Sequence, residues 1–399
     1  MLTERELFFR HLAPTSDAPL ALEIERAEGI YLFGPNGKSY IDLISGISVS
    51  SVGHLHPRVV KAVTGQLGKY MHLMVFGEYI QSPQVRLAEK LASVLPPNLQ
   101  SCYFVNSGSE AIEGALKLAK RFTGRSKICS FLNAYHGSSH GALSVMGNES
   151  FKRAYRPLLP DVHQLEFNNL KDLAGIDNHT ACVLIEPVQG EAGVITATQE
   201  FLDALRKRCN DTGALLIFDE IQTGFGRTGK LFAFEHYGVI PDIITFAKAM
   251  GGGMPIGAFI STPAIMNSLS HSPALGHITT FGGHPVSCAA ALATIEVLLD
   301  ENLVAQVKEK ELLFIELLSG HPLVKEIRSC GLLMALELPD FETNKRVIDK
   351  TIEKGVITDW FLFNSKSMRI APPLIITKEQ ITTACKTIHE AMDEVLSGY

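Results

Sequence analysis

Between residues 100 and 261, short apolar runs rich in β-branched and aromatic residues alternate with stretches of helical period. The runs are CYFVNSG, KICSFL, ACVLIEP, ALLIFDE, DIITFAK and GAFIS. Unbroken apolar runs suit strands buried on both faces, and the helical stretches between them suit crossovers. The pattern predicts an α/β fold whose mostly parallel sheet is sandwiched by helices. From about residue 300 the period changes to that of long amphipathic helices, in NLVAQVKEKELLFIELL, NKRVIDKTIEKG and KEQITTACKTIHEAMDEVLSG, with a strand-like GLLMALEL between the first two. This predicts a smaller α+β domain. Near the N-terminus, IYLFGPNGKSYIDLISG reads as a hairpin turned at Asn36-Gly37, too small to fold alone and expected to pack on that same domain. The expected division is a large domain over 46–295 and a small one formed by both chain ends, 1–45 and 296–399.

Composition narrows the function classes. The 399 residues are 46% hydrophobic and 20% charged, an ordinary globular balance long enough for two domains. A formal net charge of -6 and the absence of any Lys/Arg-rich run argue against nucleic acid as a partner. The start, MLTERELFFRHLAP, lacks the unbroken apolar core of a secretory signal, and the most apolar helical stretch, CAAALATIEVLL, is interrupted by Glu296. A soluble, cytoplasmic protein without a membrane segment is expected. The seven cysteines are widely spaced with no C-x-x-C pair, which predicts reduced, mostly buried thiols.

Two strand ends carry the first sign of chemistry. ALLIFDEIQTGFGRTG places Asp219 at the end of one apolar run, and DIITFAKAMGGGMPIGA places Lys248 at the end of another, 29 residues later. Either residue alone is most simply a cap or a solvated charge. Together they supply what pyridoxal phosphate requires: an amine to hold its aldehyde as a Schiff base, and a carboxylate to keep its ring nitrogen protonated. In open sheets ligands gather beyond the carboxyl ends of the strands, where Asn106, Glu186, Asp219 and Lys248 all fall. CYFVN runs into Ser107, Gly108, Ser109 and Glu110 and then a helical stretch, a helix start able to bind a phosphate. Ser107 and Glu110 have capping-box spacing, and the helix dipole adds about 1–2 kcal/mol for a dianion. Alone this is an ordinary capped helix. FLNAYHG offers Tyr135 as a flat side chain for ring stacking, with His136 beside it. His54/His56 and His136/His140 lack an acidic or cysteine partner at zinc-site spacing, so no metal is expected; HPRVV reads instead as a helix start with Pro57 in its first turn.

From Gly29 to Thr377, NSGSEAIEGALKLAK, FLNAYHG, LIEPVQGEAGV, LIFDEIQTGFGRTG, FAKAMGGGMPIGA, HITTFGGHPVSCAA and MRIAPPLIIT resemble, in order, the motifs of the class III, fold type I pyridoxal-phosphate-dependent aminotransferases. This group includes acetylornithine, ornithine and 4-aminobutyrate aminotransferases. The resemblance implies transfer of a terminal amino group from an ω-amino acid or related amine to a 2-oxo acid such as 2-oxoglutarate, by a ping-pong route through a Lys248 aldimine. It implies that Asp219 pairs with the ring nitrogen, Gln222 with the phenolic oxygen, and Ser107, Gly108 and Ser109 with the phosphate, while Tyr135 stacks on the ring. His136 and Glu186 join this cofactor-binding set. Thr280, in HITTFGG, matches a threonine that reaches the neighbouring subunit's phosphate, which implies a homodimer.

Arg369, in MRIAPPL, resembles the arginine that grips the carboxylate beside the reacting carbon, and Glu191, in QGEAGV, its gate. Leaving that arginine buried and unpaired would cost on the order of 3–5 kcal/mol, which Glu191 could relieve when the substrate lacks the carboxylate. Without the motif context the two are a structural ion pair or separate surface charges. One position departs from the pattern: Ser138 follows His136-Gly137 where the compared enzymes usually carry an arginine for the distal carboxylate. This weakens the case for their substrates and leaves pyruvate open as acceptor. Another reaction on the same fold, an aminomutase or epimerase, also stays open.

Overall fold

The computed structural model describes residues 2–398. Its strands, in chain order, are β1 (Arg26–Glu28), β2 (Tyr31–Phe33), β3 (Ser39–Asp42), β4 (Ser101–Val105), β5 (Lys127–Phe131), β6 (Val162–Leu165), β7 (Thr180–Ile185), β8 (Val188–Gln189) and β9 (Ile195–Thr196). They continue with β10 (Leu215–Asp219), β11 (Ile243–Phe246), β12 (Gly257–Ser261), β13 (Glu326–Cys330), β14 (Leu333–Glu337), β15 (Val356–Ile357), β16 (Asp359–Phe361) and β17 (Asn364–Ile370).

All six predicted runs between residues 100 and 261 are strands of one seven-stranded sheet, ordered β4-β12-β11-β10-β7-β5-β6. The seventh strand, β6, has a mixed exposed and half-buried pattern, so no apolar run announces it. From β11 to β6 the pairings are parallel, while β12 runs antiparallel to both β11 and β4. The sheet is buried on two faces, as the unbroken runs require. In β10, Leu215 and Ile217 face one core with Ala111, Ile112, Ala115 and Phe259, whereas Leu216 and Phe218 face the other with Phe201, Leu205 and Phe246.

The chain ends meet in a second region. β2 and β3 form the expected hairpin, with the turn over Pro35–Gly37 and the register Tyr31↔Ile41, Leu32↔Tyr40 and Phe33↔Ser39. β3 then pairs in parallel with β15, joining residues 39–42 to the C-terminal segment. The three C-terminal amphipathic helices form over Leu303–Leu318, Phe341–Glu353 and Lys378–Leu396, the last opened by a full Thr377–Gln380 capping box. The single expected strand, β14, is one of four, in the order β13-β14-β17-β16. The other three mix polar and apolar residues and give no apolar run.

The helix Gly108–Thr123 lies so close to β12 that an added Cβ at Gly114 would stand 2.2 Å from Phe259 Cε1, in a ring that is fully buried. Gly114→Ala would gain up to about 1 kcal/mol of helix propensity but force an overpacking cost of about 1–3 kcal/mol. The denaturant midpoint of the variant is therefore expected to fall, and an unchanged midpoint would show that this helix is not seated as closely as described.

Candidate active site

The carboxyl ends of β4, β7, β10 and β11 open onto one cavity of about 410 Å³, within the range of small-ligand pockets. Nine of the twelve sequence-predicted site residues line it: Ser107, Gly108, Ser109, Tyr135, His136, Glu186, Asp219, Gln222 and Lys248. Asn106, Val49, Met254, Pro255 and Ile256 complete most of its wall, and of these only Asn106 stood out in the sequence. Thr280 is exposed and does not line the cavity. Asn106 Nδ2 donates to Thr279 Oγ1 at 3.1 Å and so ties the end of β4 to the loop that carries Thr280.

Lys248 follows β11 in a short helical turn, Lys248–Gly251, with φ at +46°. A left-handed lysine is uncommon and costs of order 1–3 kcal/mol, a strain that persists where the surroundings fix the residue for a task. Burial lowers the amine's pKa, opposed by the negative charge of Glu191. Asp219 is held on both oxygens: Oδ2 pairs with His136 Nδ1 at 2.7 Å and Oδ1 accepts the Ile221 N–H at 3.0 Å. His136 is itself buried, and its Nε2 has no partner among the described residues. Glu186 accepts the Tyr135 N–H at 3.0 Å, and its carboxyl is pushed well above the usual range by burial and then by the charge of Asp219.

At the start of the helix Gly108–Thr123, Ser107 Oγ accepts the Glu110 N–H, but the reciprocal half of the expected capping box is shifted. Glu110 Oε2 takes the N–H and side-chain amide of Asn106, both at 2.8 Å, rather than the N–H of Ser107. The Ser107 N–H is thereby left without that partner, and Ser107, Gly108 and Ser109 all line the cavity. Gly137, at φ +119°, lets the next loop pass so near that a Cβ there would meet Ser109 Oγ at 2.2 Å. Ser138 then donates its N–H to Ser109 Oγ at 3.3 Å, with its hydroxyl 3.4 Å from Tyr135 Oη.

Glu191 and Arg369 are not among the residues lining the cavity; both are buried and joined by two parallel contacts of 2.9 Å. Glu191 sits in the turn between β8 and β9, and Arg369 near the end of β17. Gln222 connects the pair to the cavity, its Nε2 donating to Glu191 Oε1 at 3.4 Å. Burial pushes the Glu191 carboxyl up, but Arg369 outweighs it and the net shift is downward; Arg369 is correspondingly raised. Asp359, across from Arg369 in β16, was not singled out by the sequence, because only the strand register brings it there.

The donor set fits pyridoxal phosphate. A desolvated amine and a pinned carboxylate line the same cavity, with a helix start carrying hydroxyls and amides along another wall. For a metal, by contrast, the described residues contain no group of three or more His, Cys, Asp or Glu side chains placed to hold an ion; His54 pairs with Asp42 and His56 with Glu301. The cysteines are free thiols, five buried and two half-buried. No helix among the described residues is long and apolar enough to cross a membrane.

The family described as aminotransferase class-III matches residues 12–392, and the chain belongs to that family. It is an enzyme that transfers amino groups, on the fold type I architecture, in a family that uses pyridoxal phosphate. A transaminase from the marine bacterium Virgibacillus superposes with a TM-score of 0.93 at 30% identity, covering 99% of each chain. The ornithine aminotransferase of Toxoplasma gondii gives 0.91 at 30% identity over 99% of this chain and 95% of that one. An adenosylmethionine-8-amino-7-oxononanoate aminotransferase from Methanocaldococcus jannaschii gives 0.91 at 29% identity over 98% of each.

The second acid of the Asp-Glu pair points away from the cavity. Glu220 is fully buried, accepts the N–H groups of Ala233 and Phe234 at 2.6 and 2.7 Å, and is raised by burial to about 7. Between its ordinary 4.5 and about 7 the folded protein holds a proton that the unfolded chain has released, so this contribution to stability falls as pH rises. Glu220→Gln cannot titrate. The stability advantage of the wild type over this variant is expected to shrink by roughly 2–3 kcal/mol between about pH 5 and about pH 8. Urea unfolding midpoints would test this, and an advantage constant with pH would contradict it.

Proposed function

We propose that the chain catalyses a ping-pong transamination in which the terminal amino group of an ω-amino acid or related amine passes to a 2-oxo acid. The observation that carries this reading is the sealed Glu191–Arg369 pair, joined through Gln222 to a cavity already furnished with Lys248 and Asp219. In this arrangement the arginine is neutralised, which suits a donor whose reacting carbon bears no carboxylate.

When bound, pyridoxal phosphate supplies the aldehyde that takes up the amino group and the ring that draws electrons from the reacting carbon. Lys248 would hold the aldehyde end of that group and, once released, its neutral amine would take the proton from the reacting carbon. Its lowered pKa favours the neutral amine this task needs. Asp219, fixed by His136 and the Ile221 N–H, keeps the ring nitrogen protonated. Gln222 binds the phenolic oxygen and touches Glu191, while Ser107, Gly108 and Ser109 bind the phosphate. Tyr135 covers one ring face, and Glu186 anchors the Tyr135 backbone. In the second half-reaction Glu191 withdraws and Arg369 grips the carboxylate of the 2-oxo acid.

The acceptor is 2-oxoglutarate or a shorter 2-oxo acid such as pyruvate. Ser138 favours the second, since Lys248 is the only lysine or arginine among the described residues lining the cavity, and a distal carboxylate finds no other cation there. The exposure of Thr280 supports a homodimer in which that residue completes the partner's phosphate site. The β3–β15 pairing likewise supports reading 1–45 and 296–399 as one small domain beside the large one, 46–295.

Spectral titration of the holoenzyme with N-acetylornithine, ornithine, 4-aminobutyrate, lysine and glutamate, one at a time, tests the reading. The yellow colour is expected to bleach with a terminal amine, with release of a carbonyl product. Colour that persists with every donor would discard these substrates, and turnover without carbonyl release would point to an aminomutase or epimerase. Lys248→Ala is expected to lower turnover on the order of 10³-fold or more. Full turnover in that variant would overturn the mechanism.

A further inference from the structure

The Glu191–Arg369 pair has a third member. Asp359 in β16 stands opposite Arg369 in β17, with Oδ1 3.0 Å from Nε. The two atoms are not aligned for a hydrogen bond, and both are buried without a hydrogen-bond partner, so the contact is one of charge on charge. The other edge of the guanidinium is engaged separately: Nη1 and Nη2 face Glu191, and Nη2 also reaches the Trp360 carbonyl at 3.3 Å. The Phe361 ring closes one face at 4.6 Å. Arg369 therefore meets two carboxylates on two edges, one from a turn and one from a strand.

We infer that Asp359 is the resident counter-charge of Arg369: it keeps the guanidinium compensated and aimed while Glu191 is displaced, and it moderates the pull of Arg369 on an incoming carboxylate. This rests on the reading that Arg369 takes the carboxylate of the 2-oxo acid. For that carboxylate to bind, Glu191 must leave the Nη edge, and a buried cation without a partner at that moment would be strongly disfavoured. Asp359 meets the Nε edge, away from the Nη edge that the incoming carboxylate takes, so that carboxylate displaces Glu191 and not Asp359. The cost of opening is thereby reduced. Asp359 also repels whatever anion replaces Glu191, so Arg369 binds that anion less tightly than a lone buried arginine would. An enzyme that must release an amino acid product as well as bind an oxo acid benefits from that moderation. The crowding is visible at Asp359 itself, where burial raises the carboxyl to about 6 and Glu191 adds to the shift while Arg369 opposes it.

Calorimetric binding of 2-oxoglutarate and of pyruvate to the holoenzyme in its aldehyde form, with which a 2-oxo acid does not react, tests the inference. The proteins compared are Glu191→Gln alone and Glu191→Gln combined with either Asp359→Asn or Arg369→Gln. Glu191→Gln/Asp359→Asn is expected to bind at least one of the two acids about tenfold tighter than Glu191→Gln, a gain of about 1.4 kcal/mol. Glu191→Gln/Arg369→Gln is expected to lose binding. Equal or weaker affinity in the first double variant, with binding lost in the second, overturns the role of Asp359. Binding that survives loss of Arg369 overturns the underlying reading instead. A stability cycle gives a readout independent of ligand. Glu191→Gln and Asp359→Asn are each expected to leave Arg369 one partner, so the double variant should lose more than the sum of the single losses. A double variant that fails to fold while both single variants fold meets that expectation, and strict additivity contradicts it.

Discussion

A guanidinium buried away from water has to remain compensated at every stage of whatever it does. Arg369 is 2% exposed, and the architecture around it answers that requirement twice, through Glu191 at the turn of the β8–β9 hairpin and Asp359 on the neighbouring strand. The first contact is a bidentate pair made by a residue in a turn. The second is a charge contact on the separate Nε edge, without a hydrogen bond. One partner can move aside while the other stays, which is what a site serving two unlike substrates in turn requires.

The rest of the site depends on where the large sheet ends. Four strands deliver Asn106, Glu186, Asp219 and Lys248 to one cavity because their carboxyl ends point the same way. Such crowding of acids and a lysine would be unfavourable if the groups were left unpartnered. Asp219 is satisfied by His136 and a backbone amide, while burial and Asp219 push Glu186 toward its neutral form. Burial lowers the Lys248 amine, and the left-handed backbone at Lys248 shows that the surrounding packing holds the residue in place.

The parts of this arrangement legible in the sequence were those written in contiguous residues. Each central strand announced itself as an apolar run because both of its faces are covered, and Asp219 and Lys248 could be placed at strand ends for the same reason. The helix start at Ser107 was legible through its spacing, although Glu110 turned out to cap Asn106. Strands without an apolar run were not legible: β13 and β17 interleave charged and polar residues with apolar ones, and β16 spans three residues. Asp359 went unseen for a related reason. Its meeting with Arg369 depends on the antiparallel register of β16 and β17, which an irregularity between Trp360 and Phe361 shifts. The antiparallel direction of β12 was equally hidden, because GAFIS is as apolar as its parallel neighbours.

The account turns on one exchange, the replacement of Glu191 by a substrate carboxylate at Arg369. The most direct measurement is a crystal structure of the holoenzyme with a bound 2-oxo acid. The account predicts the acid's carboxylate paired with the Nη edge of Arg369, Glu191 swung away, and Asp359 still beside Nε. A bound 2-oxo acid held elsewhere in the cavity, with the two Glu191–Arg369 contacts intact, would contradict it.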